Sequence, residues 1–267
     1  MPIIHYHAEI RLLVSVRGHP FDRTAFDAIF QDMEGVSATM VDQPAAARLM
    51  NLEDMQDFDA LVLYDMPGLD FEDPLKKPGF VDPDPALVKG FEALLQEGKG
   101  IVALHHSLAG WPTWPEYGDW LGGRFLYRQD VVHGKRTLDS GYAHDVDYVA
   151  RNVAPDHPVM RDIPESFPIC DELYLAEIFE PDVTPLLRSG HDFIAENFYS
   201  ATAALNERMY DNENWVHPPG SDLIGWAKKA LNSRLVYLQP GDSSKAYENP
   251  HYRKILRNAI DWVTCRT

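Results

Sequence analysis

Two adjacent imidazoles, His105 and His106, follow four apolar residues inside the stretch Gly98 to Phe125, GKGIVALHHSLAGWPTWPEYGDWLGGRF. Imidazole changes charge near neutral pH, so a pair at the edge of an apolar run suits proton transfer or metal ligation; the plainer alternative is a core histidine satisfied by a backbone carbonyl. A second polar pair, Asp171 and Glu172, interrupts the apolar run FPICDELY. Buried acids are rare unless paired or functional, so these two are candidates for a general base, a metal ligand or an acceptor for sugar hydroxyls; alternatively one pairs with Arg124 or Arg128. Trp111, Trp114, Tyr117 and Trp120 offer aromatic faces that suit the C–H surface of a sugar ring, or that simply pack a loop. His19, His105, His106, His133, Asp171, Glu172 and Asp242 are all metal-ligand types, without a local spacing such as HExxH. The sequence therefore requires no cofactor and leaves a divalent metal such as zinc open.

These groups need a scaffold, and the hydrophobic pattern supplies one. Ile101 to Leu104 is apolar without alternation, as in a strand covered on both faces, and ligands of parallel α/β sheets collect beyond the carboxyl ends of strands. Successive strand residues point to opposite faces. A strand running through both histidines would therefore turn one imidazole, His105, to the pocket and the other to the helix layer. Glu9 to Val16 reads as a first strand, followed by a helix from about Asp22 with Phe26, Ile29, Phe30 and Met33 on one face. Strands are expected over Val36 to Val41, Asp59 to Tyr64 (placing Asp65 at a strand end), Thr184 to Arg188, Leu223 to Ala227 and Ser233 to Leu238. Asp84 and Pro85 read as the N-cap and first position of a helix that buries Leu87, Phe91, Leu94 and Leu95. The last helix follows Asn249-Pro250. Residues 128–149 read as an excursion from the core, and Asn197 to Ser221 as a polar loop.

The chain has 267 residues, with 24 basic and 41 acidic side chains and a net charge of −17. That balance disfavours nucleic acid and anionic membrane and favours a small neutral ligand. Cys170 and Cys265 form neither a disulfide framework nor a zinc spacing, which points to a reducing compartment, and Cys170 is expected to be buried and unreactive. The N-terminal stretch fits neither a secretory signal nor a membrane span, so the cytoplasm is the expected location. Homo-oligomerisation is left open.

Several pieces resemble the ThuA-like (trehalose utilisation) family. They are Gly18-His19-Pro20, GKGIVALHH with its tryptophans, Gly122-Gly123-Arg124-Phe125, His157-Pro158, Asp171-Glu172-Leu173-Tyr174 and the ending Ser233 to Trp262. The resemblance implies a single three-layer α/β domain over residues 1–267 with a mainly parallel sheet, flavodoxin-like and similar to class I glutamine amidotransferases, elaborated over about 126–222. It implies an enzyme acting on a small carbohydrate or keto-sugar derivative. His105 or His106 would act as acid or base with Asp171 or Glu172 assisting; His19, Asp65, Trp111, Trp114, Tyr117, Arg124, Tyr174 and Asp242 would hold substrate. A metal-dependent hydrolase and a non-enzymatic sugar sensor are the alternatives. Many family members carry Gly-His where this chain has Gly241-Asp242. The nucleophilic cysteine that the amidotransferases place after the central strand is replaced by His105 and His106, so glutaminase chemistry is not expected.

Overall fold

A computed structural model describes residues 7–70 and 79–266; the first six residues of the N-terminal stretch and residues 71–78 of the Pro-containing loop lie outside them. The main sheet is built from β1 (Ile10–Val16), β2 (Val36–Asp42), β3 (Ala60–Leu63), β4 (Gly100–Leu104), β5 (Gly141–Asn152), β6 (Ser166–Leu175), β7 (Thr184–Ser189), β8 (Leu223–Ala230) and β9 (Ser233–Leu238). Their order is β6-β5-β7-β8-β9-β4-β3-β1-β2, and the short strand Tyr199–Ser200 pairs with β5. The strands β2, β1, β3, β4 and β9 are mutually parallel and form the central α/β half of the sheet. Beyond β9 the pairing becomes antiparallel.

Both faces of the parallel half are covered, which explains its apolar runs. Leu12, Val14, Val62, Val102 and Val236 face Phe26 and Phe30 of α1 (Arg23–Gln31) and Ile255, Leu256 and Ala259 of the C-terminal helix Pro250–Val263. Leu13, Leu61, Ile101, Ala103 and Leu235 face Phe91, Leu94 and Leu95 of α2 (Pro85–Glu97). The result is the expected three-layer sandwich. Asp84 caps α2 by accepting from the Ala86 N–H, with Pro85 at the first helical position, and Asp22 caps α1 in the same way. Gly100 is required by a close approach, because a Cβ there would lie 2.6 Å from the carbonyl oxygen of Val263.

The middle of the chain corrects the sequence reading. Residues 128–149 are not wholly an excursion, since β5 begins at Gly141 and, with β6 and β7, enlarges the main sheet. The polar stretch 197–221 also holds a short helix, α4 (Ala201–Leu205), preceded in the chain by α3 (Pro115–Leu121).

Candidate functional site

Strand β4 ends at Leu104, and the chain turns at once into a 3-10 turn over His105–Ala109. His105 takes a left-handed φ of 35°, uncommon for a residue with a side chain. The strand therefore does not run through the pair, and the expected division of the imidazoles between two faces is wrong. Both are fully buried, with ring centroids 4.5 Å apart, and both face the segment that follows β9.

The two rings are held differently. The Nδ1 of His105 hydrogen-bonds the backbone carbonyl of Gln239, and its Nε2 lies 2.8 Å from Oε2 of Glu172. Burial opposes charge on this ring, but the hydrogen bond to Glu172 and the carboxylates of Asp242, Glu172 and Asp171 outweigh it and raise His105 to about 9. The Nδ1 of His106 lies 3.2 Å from the Tyr174 hydroxyl, while its Nε2 is buried with no hydrogen-bond partner. Burial and the neighbouring imidazoles His105, His19 and His144 keep His106 well below the usual histidine range.

Glu172 is the centre of the polar floor. Its second oxygen, Oε1, accepts from Nδ1 of His144 at 2.9 Å. His144 reaches it because the β5–β6 register shifts between Ala143, opposite Leu173, and Val146, opposite Asp171; His144 and Asp145 together face Glu172. Such a bulge re-aims a side chain. Burial alone would raise the Glu172 carboxyl, but hydrogen bonds from His105 and His144 and their charges hold it well below the usual carboxylate range. The bond to Glu172 in turn raises His144. Across from it, His19 packs on His106 at 4.1 Å, and burial lowers its pKa.

Glu172, His144 and His19 open onto a cavity of about 230 Å³. Its walls are largely aromatic and aliphatic, formed by Phe125, Tyr127, Tyr142 and Tyr174 together with Leu205 of α4 and Met209. An apolar hollow with a few converging polar groups is the usual form of a small-molecule site. Asp242 stands beside it, its Oδ1 3.5 Å from Nε2 of His106 and 3.8 Å from Nε2 of His105. One donor atom from each of His105, His106, Glu172 and Asp242 lies within 4.8 Å of the others, a set of the kind that holds a divalent cation.

Several sequence candidates fall elsewhere. Asp171 precedes Glu172 on β6 and points away from the cavity; its buried carboxylate accepts the backbone N–H groups of Gly241, at 2.5 Å, and Asp242, at 3.2 Å, so it anchors the segment that carries Asp242. Burial raises Asp171 to about 7 against those bonds and the charge of His105. Asp65 is buried under the sheet end, accepting from Ser15 Oγ and Gln43 Nε2, each at 2.6 Å. Trp114 and Tyr117 pack on Phe91 of α2, and Trp111 on Trp114, so the aromatic loop is part of the helix layer rather than a sugar platform. Arg124 donates to the carbonyl of Pro112 and to Asp130, and pairs with neither Asp171 nor Glu172. His133 is exposed and bound to Asp119. Cys170 is half-buried rather than a core residue, with Lys245 Nζ 3.8 Å from its sulfur. Sequence reasoning missed His144 and the walls Phe125, Tyr127 and Tyr142. The signal for His144 and Tyr142 was the strand character of 141–152, and for Phe125 its place in the piece Gly122-Gly123-Arg124-Phe125.

The family model described as ThuA, trehalose utilisation, matches residues 14–263. A search of curated proteins finds no match. Among solved structures, a ThuA-like protein from Parabacteroides merdae superposes with a TM-score of 0.65 at 14% identity, covering 96% of this chain and 90% of that one. A ThuA-like protein from Bacteroides uniformis gives 0.59 at 15% identity, over 98% and 94%. A cytoplasmic protein from Salmonella typhimurium gives 0.56 at 11% identity, over 95% and 98%. At these identities the superpositions speak for the fold, of the flavodoxin and glutamine amidotransferase type, while the family match runs from β1 to the last turn of the C-terminal helix. The chain belongs to the ThuA, trehalose utilisation, family.

Proposed function

We propose that this protein is a cytoplasmic enzyme of trehalose-utilisation type that acts on a small carbohydrate or keto-sugar derivative by acid/base chemistry, with His144 as the proton-transferring group. The observation that carries this reading is the 2.9 Å bond between Nδ1 of His144 and Oε1 of Glu172 at the floor of the cavity. A carboxylate on one ring nitrogen fixes the imidazole's orientation and leaves Nε2 as the nitrogen that exchanges a proton with a ligand. His19 supplies a second imidazole to the same cavity, and the aromatic walls offer faces for the apolar side of a sugar ring. His105, which the sequence favoured for this role, is fully buried behind Glu172 and supports the carboxylate instead.

The test is to incubate the protein with trehalose, other disaccharides and their keto derivatives and to follow each mixture by NMR. Turnover of at least one sugar, reduced about 10²–10⁴-fold in H144Q, is expected for a lost general acid or base. Saturable sugar binding without turnover would overturn the enzymatic reading in favour of a sensor.

A further inference from the structure

We infer that His105, His106, Glu172 and Asp242 form a binding site for one divalent transition-metal ion, of the zinc or cobalt class, behind the Glu172 floor of the cavity. The inference deepens the acid/base reading, and rests on it only for the use to which the ion is put.

One buried nitrogen of the cluster is unsatisfied. Nε2 of His106 is buried, has no hydrogen-bond partner and lies 3.5 Å from Oδ1 of Asp242. A buried polar atom left without a partner is costly, and this nitrogen and the Asp242 oxygen face each other across a gap that an ion bound to both would fill. His105, whose ring nitrogens both have partners, would exchange a proton for the ion. Its Nδ1 faces the carbonyl of Gln239, which only accepts, so that nitrogen carries a proton. Its Nε2 faces the Glu172 carboxylate at 2.8 Å, so the lone pair there meets another acceptor unless a proton or a cation lies between. One ion at the shared point would satisfy His106 and take the place of the proton between His105 and Glu172.

The spacing and chemistry fit. Two imidazole nitrogens and two carboxylate oxygens at bond lengths of about 2.0–2.2 Å around a tetrahedral ion lie about 3.4 Å from one another. The separations His105–Glu172, His106–Asp242 and His105–Asp242, 2.8, 3.5 and 3.8 Å, bracket that value. A set with two imidazoles selects zinc-like ions over calcium or magnesium, which prefer oxygen.

Outer partners hold each ligand. Gln239 fixes the His105 tautomer, the Tyr174 hydroxyl meets Nδ1 of His106, His144 takes the free oxygen of Glu172, and Asp171 grips the backbone of Asp242. Supporting bonds of this kind usually accompany metal ligands. Glu172 lines the cavity, whereas His105 and His106 are fully buried behind it, so the ion would act on a bound ligand through Glu172 and the His144 imidazole that Glu172 orients.

The experiment uses tag-free protein stripped with a chelator and titrated with Co(II) alone, followed by visible absorption and elemental analysis. The expected result is about one ion per chain with the strong ligand-field bands of a four- or five-coordinate site. In H106Q and D242N the affinity should fall at least about tenfold, and in H133Q, which alters an exposed imidazole, it should not change. Asp242 is partly exposed, so D242N keeps the comparison alive should H106Q fail to fold. No absorption band in the wild type, or equal affinity in D242N and the wild type, would overturn the site. Because no sugar enters the measurement, sugar turnover by protein that binds no Co(II) would sink the metal and leave His144 in its role; stoichiometric Co(II) without turnover of any sugar would do the reverse.

Discussion

Glu172 Oε1 lies 2.9 Å from Nδ1 of His144 because the β5–β6 ladder slips at that point, setting two residues of β5 against one of β6. Without the slip, strict alternation would fix the facing of His144 by its neighbours Ala143 and Asp145. The bulge thus links a local irregularity of the antiparallel half of the sheet to the chemistry at the end of the parallel half.

Trp114 distinguishes a sugar platform from a packed helix layer. It is 5% exposed and packs on Phe91, Tyr117 and Trp120. We expect W114A to lose about 3–5 kcal/mol in a denaturant titration, as for other large-to-small core changes. The folded fraction should bind sugar with unchanged affinity. A weakened affinity at unchanged stability would return Trp114 to the ligand site.

Asp171 is expected to act on stability through the backbone it holds. D171A leaves the buried N–H of Gly241 and that of Asp242 without their acceptor. A loss of about 2–5 kcal/mol follows from two unmade bonds to a carboxylate. D171N, which keeps one acceptor oxygen, should lose less. Equal stability of D171A and the wild type in urea would show that the segment needs no such anchor.

Asp65, buried outside the cavity lining, provides a pH test. Burial raises its pKa in the fold above the usual carboxylate value, against the bonds from Ser15 and Gln43. The folded state therefore holds the proton more tightly than the unfolded one, and the stability this confers is complete below about pH 4 and is lost as pH rises through the raised value. D65N cannot lose that proton. Its stability relative to the wild type should climb from about pH 4 upward and level off above the folded-state pKa, as read from denaturation midpoints across that range. A gap that does not change with pH would contradict the raised pKa.

The parallel half of the fold was legible from local signals. Asp84-Pro85 marks a helix start, Phe26, Ile29 and Phe30 share a helix face, and the unbroken run Ile101 to Leu104 announces a strand covered on both sides. The His105-His106 pair and Glu172 were legible as chemistry for the same reason, being polar groups in apolar runs. The geometry between them was not. Whether His105 ends a strand or begins a turn depends on a left-handed backbone that histidine only occasionally adopts. His144 owes its place to pairing with a strand that begins 22 residues further on, which no local pattern reports. Asp65 and Trp114 looked like site residues because strand ends and aromatic loops often carry ligands. Contacts with Gln43 and Phe91, distant in sequence, decided otherwise.

The most direct test of the account is a double-mutant cycle on His144 and Glu172, read as kcat/KM on whichever sugar the NMR screen identifies. If the carboxylate works by orienting the imidazole, the two act as one unit, and the double variant H144Q/E172Q should be no slower than the slower of H144Q and E172Q. Losses that multiply, with the double variant slowed by the product of the two single effects, would mean that His144 and Glu172 act independently and would contradict the account.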